Sequence, residues 1–369
     1  MTTTSHPSTP PASRPKFPGG KEFHAELKQR VQAYFAEEGL RERDVPAMYA
    51  KTAVLLAAFA ATWVALVFFA GSLWISLPLA VLLGTCTAAI GFNVQHDGGH
   101  DGYSDLPWVN RCMARTMDFI GASSYIWHWK HGVFHHTYTN IAGHDDDVAL
   151  APFARLAPQQ ERRPWHRFQH IYMWGLYAFQ ALKWHLYDDF VVLATGRLGP
   201  HRIPRPRGRE LVSFWIGKLL FFSWALVVPL LVHAWPVVLL HGAVASFSLG
   251  FVLSVVFQLA HVVEEADFPD ADAADEDRSW ARHQVETTVD FARESKVLTY
   301  LFGGLNFQVE HHLFPRVCHV NYPRIAPIVE QVCQEYGVRY SAHRTLWSSL
   351  GSHYRWLRRM GRRPDAATA

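Results

Sequence analysis

The chain has 369 residues, of which 49% are apolar and 14% aromatic, and its formal net charge is +3 at pH 7. This nearly balanced charge offers no strongly basic face, so no nucleic-acid partner is expected. The four cysteines form no Cys-x-x-Cys pair, which argues against a cysteine-bound structural zinc. Histidine is the outlier of the composition, with 22 residues.

The chain begins with a segment rich in proline, serine and threonine that contains no apolar run of signal-peptide length. We expect residues 1–20 to form a disordered lead and not a secretion signal. The rest of the chain is expected to be a membrane domain over residues 21–345, followed by a basic C-terminal tail over residues 346–369.

Two long segments contain no Asp, Glu, Lys or Arg. One lies between Lys51 and Asp97 and the other between Lys218 and Glu264, and each has about 45 residues. One crossing of a bilayer takes about 20 residues of helix, so each segment is long enough for two crossings joined by a tight turn. The predicted transmembrane helices cover residues 52–70, 73–94, 211–232 and 236–260.

Basic residues flank these segments on one side only. They precede both pairs of predicted helices and follow the last one, whereas neither predicted turn carries Lys or Arg. By the positive-inside rule, both termini and the central loop are expected in the cytoplasm. The sequence therefore predicts an all-α integral membrane protein with four transmembrane helices, arranged as two hairpins under a cytoplasmic helical cap. Within that cap, the aromatic stretch from Trp165 to Val192 is typical of a helix in the headgroup layer.

Three short motifs, HDGGH, HGVFHH and QVEHH, and an isolated histidine at the end of the second hairpin stand out. Their histidines are His96, His100, His131, His135, His136, His261, His311 and His312, and QVEHH opens with Gln308. Residues four apart share a helix face, so the histidines within HDGGH and within HGVFHH can point the same way. Eight imidazoles are too many for one four-coordinate zinc and suit two metal ions of higher coordination. Imidazole binds iron, zinc, copper and nickel, so the ligand type leaves the metal open.

The placement of the motifs favours one common site. His96 and His261 lie where the two predicted hairpins return to the cytoplasmic side, and the other motif histidines lie in cytoplasmic segments. All eight can therefore meet just above the bilayer, within reach of an apolar chain. The histidines without this pattern are expected to be ordinary surface residues, namely His24, His144, His166, His170, His185, His283, His319 and His343.

Acidic residues adjoin several candidate ligands. Asp97, Glu264 and Glu310 each neighbour one, and a carboxylate can orient an imidazole by accepting its second N–H. A solvated or structural role is the alternative for each of the three. The run 145–147 of three aspartates after the second motif is interpreted as a turn. No catalytic residue separate from the metal ligands is predicted.

The order of HDGGH, HGVFHH and QVEHH, with a predicted hairpin before the first and before the last, resembles the membrane fatty acid desaturase family. The glutamine of QVEHH resembles the front-end branch of that family, which includes linoleoyl-CoA-type desaturases. The sequence segments WKHGVFHHTYTNIAGHDDD and GGLNFQVEHHLFP are similar to the corresponding segments of bacterial members of the branch. The resemblance covers the chain from about Lys21 to Tyr340.

The resemblance implies a di-iron site whose ligands are the eight histidines named above, with His261 as the isolated one. Gln308 stands where many relatives have histidine, so it would bind a metal weakly, through water, or not at all. The implied reaction uses O2 and two electrons to place one double bond in a long-chain acyl substrate, carried by CoA or by a lipid. The electrons would come from a separate partner, ferredoxin or cytochrome b5, and the membrane would be a bacterial inner membrane.

Two other functions fit parts of the pattern. A fatty acyl hydroxylase or oxygenase on the same scaffold would use the same ligands and make an alcohol instead of an alkene. A His-rich metal transporter would place ionisable residues at mid-membrane, and both charge-free segments argue against it. A metalloprotease is excluded because the chain has no His-Glu-x-x-His motif.

Overall fold

The computed structural model describes residues 15–271 and 279–362, so most of the predicted lead and the end of the predicted tail lie outside the described residues. The described chain is mostly helical. Its helices are α1 Lys21–Glu37, α2 Pro46–Phe69, α3 Leu73–Gly99, α4 Pro107–Ala114, α5 Thr116–Phe119, α6 (124–138), α7 Gln169–Ala178, α8 (180–195), α9 Arg209–Val232, α10 Trp235–His261, α11 Trp280–Glu286, α12 Lys296–Leu301, α13 Gln308–Leu313, α14 Tyr322–Glu335 and α15 Leu346–Gly361.

Short strands and 3-10 turns complete the described structure. Strand β1, Arg197–Leu198, pairs antiparallel with β2, His201–Arg202. Strand β3, Asp290–Phe291, pairs in parallel with β4, Ala342–His343. The 3-10 turns are Asp146–Val148, Pro164–Phe168 and His319–Asn321.

Helices α2, α3, α9 and α10 are each long and apolar enough to cross a membrane, with 24, 27, 24 and 27 residues. The prediction of four membrane helices is confirmed, but α2 and α9 begin earlier than predicted. The first turn of α9 includes Arg209 and Glu210, and Lys51 and Lys218 lie buried inside α2 and α9. Each lysine has a buried polar partner, His319 for Lys51 and Asp189 for Lys218, which compensates for its removal from water.

Helices α3 and α10 pack closely and end side by side. A Cβ on Gly84 of α3 would lie 2.2 Å from the carbonyl oxygen of Ala245 in α10, so only glycine permits this approach. The hydroxyls of Thr85 and Ser248 lie 3.3 Å apart across the same contact. Small residues allow such close packing between membrane helices. The last turns of the two helices carry His96 and His261, beyond the predicted ends of the spans.

The segment predicted as a basic tail is largely the helix α15. Its apolar residues recur on one helical face, where Trp356 and Leu357 are buried, while its arginines lie on other faces. Ser349 Oγ donates to the carbonyl of Leu259, and the His353 imidazole contacts the carbonyl of Val262. α15 is therefore packed across the end of α10 as part of the fold.

The stretch predicted as one interfacial helix is two helices, α7 and α8, which lie against α10. Gly250 of α10 faces the carbonyls of Tyr177 and Ala178, and a Cβ there would lie 2.6 Å from the Ala178 oxygen. The Phe179 and Phe247 rings are 4.8 Å apart beside this contact. This packing places α7 against the middle of a membrane-length helix.

Candidate metal centre

Four parts of the chain bring the eight motif histidines together. The end of α3 carries His96 and leads into His100, α6 carries three histidines, α10 ends at His261, and α13 carries two. Seven of the eight are buried, and His100 is partly buried. The chain is wound as π-helix over residues 91–95 and 128–135, directly before or at the histidines. Such local widening is frequent at functional sites.

The imidazole nitrogens form three overlapping groups, and within each group the nitrogens lie within 4.8 Å of one another. The groups are His96, His100, His131 and His311; His135, His261 and His312; and His136, His311 and His312. The Nε2 atoms of His96 and His131 are 3.2 Å apart, and those of His136 and His311 are 3.0 Å apart. The structure thus places every predicted metal ligand in one cluster.

Three histidines are held through Nδ1, which turns Nε2 towards the cluster. His135 Nδ1 donates to Asp145 Oδ2 at 3.0 Å, and His312 Nδ1 donates to Gln284 Oε1 at 2.7 Å. His311 Nδ1 lies 3.2 Å from the Tyr322 hydroxyl. Metal-binding histidines commonly give their second nitrogen to such a partner, which fixes the tautomer and the ring orientation.

The surroundings keep most of the cluster uncharged. Burial and the neighbouring imidazoles hold the pKa of five histidines well below the ordinary 6.5, namely His100, His131, His136, His311 and His312. Burial also opposes the charge of His135, but the Asp145 carboxylate outweighs it and raises the pKa of that imidazole. Neutral imidazoles keep a free lone pair, which a metal ion requires.

The donor set fits metal ions. Among the described residues, the buried Nε2 atoms of His100, His135 and His312 have no hydrogen-bond partner. Leaving a buried polar atom unpaired costs about 1–3 kcal/mol, and cations shared among the imidazoles would satisfy all three atoms. Nitrogen donors without thiolates suit iron, zinc, copper or nickel.

Gln308 lies inside the cluster beside His261. Its amide nitrogen is 2.9 Å from His261 Nε2, and its side chain is buried. The amide therefore contacts an imidazole of the second group directly.

Two of the three predicted acidic partners pair with other residues close to the cluster. Asp97 accepts hydrogen bonds from the backbone and the imidazole of His319, whose Nε2 contacts Lys51 Nζ at 2.9 Å. The Tyr340 hydroxyl bridges two carboxyl groups, at 2.9 Å from Glu310 Oε1 and 2.7 Å from Asp290 Oδ2. Burial and the adjacent Asp290 raise the pKa of Glu310 well above its ordinary value. Asp97 braces the backbone at His319 and Glu310 is tied to Tyr340, and among the described residues neither acid forms a hydrogen bond to one of the eight imidazoles.

Glu264, the third, does not contact the cluster in this structure and has the structural role that was its alternative. Its carboxylate pairs with Arg355 and Arg359 of α15, because the chain turns away from the cluster after His261. Adjacency in sequence to a ligand does not bring this side chain to it.

Sequence reasoning missed the side chains that do hold the ligand imidazoles. Asp145 belongs to the run interpreted as a turn. Its carboxylate holds the His135 imidazole and also stabilises the turn, since it accepts a hydrogen bond from the backbone N–H of Asn140. Gln284 lies in no motif, and Tyr322 lies 11 residues after His311 but in no motif itself, so the sequence carried no signal for either. The prediction of surface positions fails for five of the patternless histidines, which are buried outside the eight-histidine cluster: His144, His166, His185, His283 and His319.

A cavity lies beside the cluster, and its walls include His96 and His131. Polar groups line one part, where Lys130 pairs with Asp146 at 3.2 Å and with Asp147 at 3.1 Å. The other part is apolar and lies between the long helices, with the lining residues Ile120, Leu249, Leu253 and Phe257. A smaller cavity shares Ile120, His185 and Leu249 with it. A polar mouth joined to an apolar channel suits an acyl chain with a polar head.

A family model described as fatty acid desaturase matches residues 72–344 of the chain. An sn-1 linoleoyl-lipid 6-desaturase of Arthrospira platensis is 41% identical over 344 residues, which are 93% of this chain and 94% of that protein. The sn-1 linoleoyl-lipid 6-desaturase of Synechocystis sp. (strain ATCC 27184 / PCC 6803 / Kazusa) is 41% identical over 355 residues, 95% of this chain and 99% of that protein. An acyl-lipid (8-3)-desaturase of Physcomitrium patens is 36% identical over 345 residues, 92% of this chain and 72% of that protein.

Proposed function

The chain belongs to the fatty acid desaturase family and is an oxygen-dependent acyl desaturase, and from this premise we propose that it is a di-iron enzyme acting on membrane lipids. The observation that carries the proposal is the convergence of eight histidines from four parts of the chain into one buried cluster with unpaired Nε2 atoms. Eight nitrogen donors exceed the needs of one metal ion and match those of two.

Two groups of histidines would hold the two ions. The group of four, His96, His100, His131 and His311, would hold one, and the group of three, His135, His261 and His312, would hold the other. His136 lies between them, with Nε2 3.0 Å from that of His311 and its ring stacked on His312 at 4.3 Å. Gln308 would steady His261 through its amide contact, and it would bind a metal at most weakly or through water.

Iron is the metal that the chemistry requires, because bound iron supplies the oxygen-dependent redox chemistry for removing hydrogen from an unactivated methylene, and no side chain can do so. Zinc has no such redox chemistry. The protein contributes position and shielding. Asp145, Gln284 and Tyr322 fix three imidazoles, and the Trp127 ring stacks on His131 at 4.7 Å.

The proposed substrate is an acyl chain on a membrane lipid. Two relatives that cover nearly the whole chain are named sn-1 linoleoyl-lipid 6-desaturases, and the cavity beside the cluster has the polar and apolar parts that such a substrate needs. The acyl chain of the lipid would lie along Leu249 and Leu253 and pass His96 and His131. The lipid headgroup would lie near Lys130. By analogy with these relatives, we propose that the substrate is a linoleoyl chain and that the new double bond is placed at position 6.

The orientation follows from charge. Neither turn between paired long helices carries Lys or Arg, whereas the segments that bear the histidines are rich in both. We therefore place the two hairpins so that the cluster and its helical cap face the cytoplasm of a bacterial cell, at the inner membrane. An external donor, ferredoxin or cytochrome b5, would deliver two electrons per double bond from that side.

Expression in a bacterial host that makes no polyunsaturated fatty acids, fed with linoleate, tests the proposal. The wild-type chain should yield a triunsaturated acyl chain with its new double bond at carbon 6, located by mass spectrometry of the lipids. The His135→Ala variant should yield none. Hydroxylated chains as the main product would favour the alternative oxygenase, and full activity of His135→Ala would remove that residue from the site.

A further inference from the structure

A positively charged groove lies apart from the metal centre. It is formed by the turn before α7 and by the end of α15, and its walls include Arg167, His170, Ile171, Tyr354, Arg358 and Arg362. No residue of this groove lines the cavity beside the histidines. The groove is therefore a separate feature, independent of the proposed di-iron function.

The arginines of the groove carry uncompensated charge. Arg355 and Arg359, on another face of α15, both pair with Glu264. Over residues 15–271 and 279–362, by contrast, Arg167, Arg358 and Arg362 form no ion pair with an acid. Three cations gathered without an acid repel one another, and an anion in the groove would relieve that repulsion.

His170, inside the groove, is affected by the positive charge of these arginines. Burial, together with the charges of Arg358 and Arg362, lowers the pKa of this histidine. Its Nδ1 atom is buried and has no hydrogen-bond partner in the described parts of the chain. The neutral imidazole therefore offers a polar atom beside the arginines, and it can serve as a donor to an anion.

The groove is held in a fixed shape. The end of α15 is capped by Arg162, whose Nε donates to the Gly361 carbonyl at 2.9 Å, and by Arg155, which donates to the Met360 carbonyl at 3.2 Å. A Cβ on Gly361 would lie 2.2 Å from the His166 carbonyl, so α15 and the turn before α7 are in direct contact. Tyr354 and Arg358 stand four residues apart on one face of α15, and Arg362 directly follows the helix.

The depth of the groove matches the surface of a bilayer. Residue 250, where α7 packs on α10, is 11 residues from the end of α10, or about 16 Å of helix. Arg167 lies in the 3-10 turn before α7, and Tyr354 follows His353, whose imidazole contacts the Val262 carbonyl directly after α10, so the groove lies near the level of that helix end. Exposed apolar side chains surround the groove, with Ile171 63% and Phe168 50% exposed. Arginine beside exposed aliphatic and aromatic groups is typical of the headgroup layer.

We propose that this groove binds the phosphate of an anionic phospholipid, with Arg167, Arg358 and Arg362 around the headgroup and the acyl chains against Ile171 and Phe168. Arginine donors match phosphate oxygens in geometry as well as in charge. An acidic protein would also be attracted by these cations. The exposed apolar rim at membrane depth favours the lipid, because a soluble protein could not cover it without entering the headgroup layer.

Native mass spectrometry of the full chain in detergent tests the proposal. The wild type, titrated with phosphatidylglycerol or with phosphatidylcholine, should bind the anionic lipid about tenfold or more tightly. The double variant R358Q/R362Q should lose this preference and keep its elution profile, since both side chains are exposed. The matched control R207Q/K296Q removes two exposed cations elsewhere and should retain the preference.

Glycerol phosphate separates a lipid site from a plain phosphate site. It should displace bound phosphatidylglycerol only at concentrations far above that of the lipid, because it lacks the chains that cover Ile171. Equal binding of both lipids, or unchanged lipid binding by R358Q/R362Q, would overturn the proposal. So would a variant that binds lipid normally but is reduced more slowly by an acidic electron-transfer protein, since the face would then be a protein-docking surface. Iron content and desaturation in R358Q/R362Q report separately on the proposed di-iron function.

Discussion

Single residues decide how the imidazoles are aimed, and the acid that matters most is Asp145. It accepts the Nδ1–H of His135 at 3.0 Å and the backbone N–H groups of Asn140 and Asp147, so it is itself fixed on several sides. The opposite Nε2 of His135 is thereby aimed into the cluster without a partner of its own. A motif of histidines supplies the proposed ligands, but neighbours of this kind set the direction of their imidazoles.

Asp145→Asn should weaken the metal centre. The amide keeps the size of the side chain but loses the charge that favours the His135 N–H, so we expect bound iron or specific activity to fall by about 10–100-fold. Metal analysis of the purified variant and product analysis by mass spectrometry measure the two effects.

Glu264→Gln is the matched control for that variant, because Glu264 adjoins a ligand in sequence but pairs with Arg355 and Arg359 in space. It should keep its iron. Loss of iron from Glu264→Gln with retention in Asp145→Asn would reverse the assignment of the two acids.

Gln308→Ala should have a milder effect than loss of a histidine. Its amide contacts His261 but adds at most a weak donor to the eight imidazoles, so the variant should keep most of its iron and lose less activity than His261→Ala. Comparison of iron per chain in the two variants checks this. Equal depletion in both would identify Gln308 as a full ligand.

Among the elements, α3 and α10 matter most because their contact sets where two ligands stand. The carbonyl of Ala245 occupies the space that a Cβ of Gly84 would need. Their ends then present His96 and His261 at one level, and α15 packs across the end of α10 through Ser349 and His353. The axial alignment of α3 and α10 therefore determines whether His96 and His261 can join the cluster.

Gly84→Ala should lower stability by about 1–3 kcal/mol, because the new methyl group meets backbone and the helices must separate. Thermal unfolding in detergent measures the change. Gly242→Ala, in α10, is the control, since a Cβ there meets nothing within 4 Å. That variant should be neutral or gain up to about 1 kcal/mol of helix propensity. Equal stability of both variants would show that the helices do not pack as described.

For the whole molecule, the four long helices and the motif histidines could be predicted from the sequence because both signals are local. Charge-free length identifies a membrane helix, and spacing identifies histidines on one face. The partners of the imidazoles could not be predicted, since Gln284 reaches the cluster from another helix and Tyr322, 11 residues after His311, reaches it only because α14 packs back on α13. The helices α2 and α9 begin before the predicted spans because Lys51 and Lys218 find buried partners inside them. The segment predicted as a basic tail forms α15, whose buried apolar face is not indicated by its many arginines.

The proposed orientation predicts the accessibility of cysteine to a membrane-impermeant maleimide. Cys112 in α4 is exposed and follows the first histidine motif, so it should be labelled from the cytoplasmic side only. In a Cys112→Ser background, a cysteine in place of Trp74, which is 92% exposed at the opposite end of α3, should be labelled from outside. Labelling of both positions from the same side would contradict the arrangement of α2 and α3 as a hairpin.

The metal content of the purified chain, expressed with iron in the medium, tests the central claim most directly. Elemental analysis combined with X-ray absorption at the iron edge should give about two irons per chain with a shell dominated by imidazole nitrogen, as eight histidine donors require. The double variant His135→Ala/His312→Ala should lose iron from the second group. A protein that is active with a single iron, or with zinc and no iron, would contradict the account.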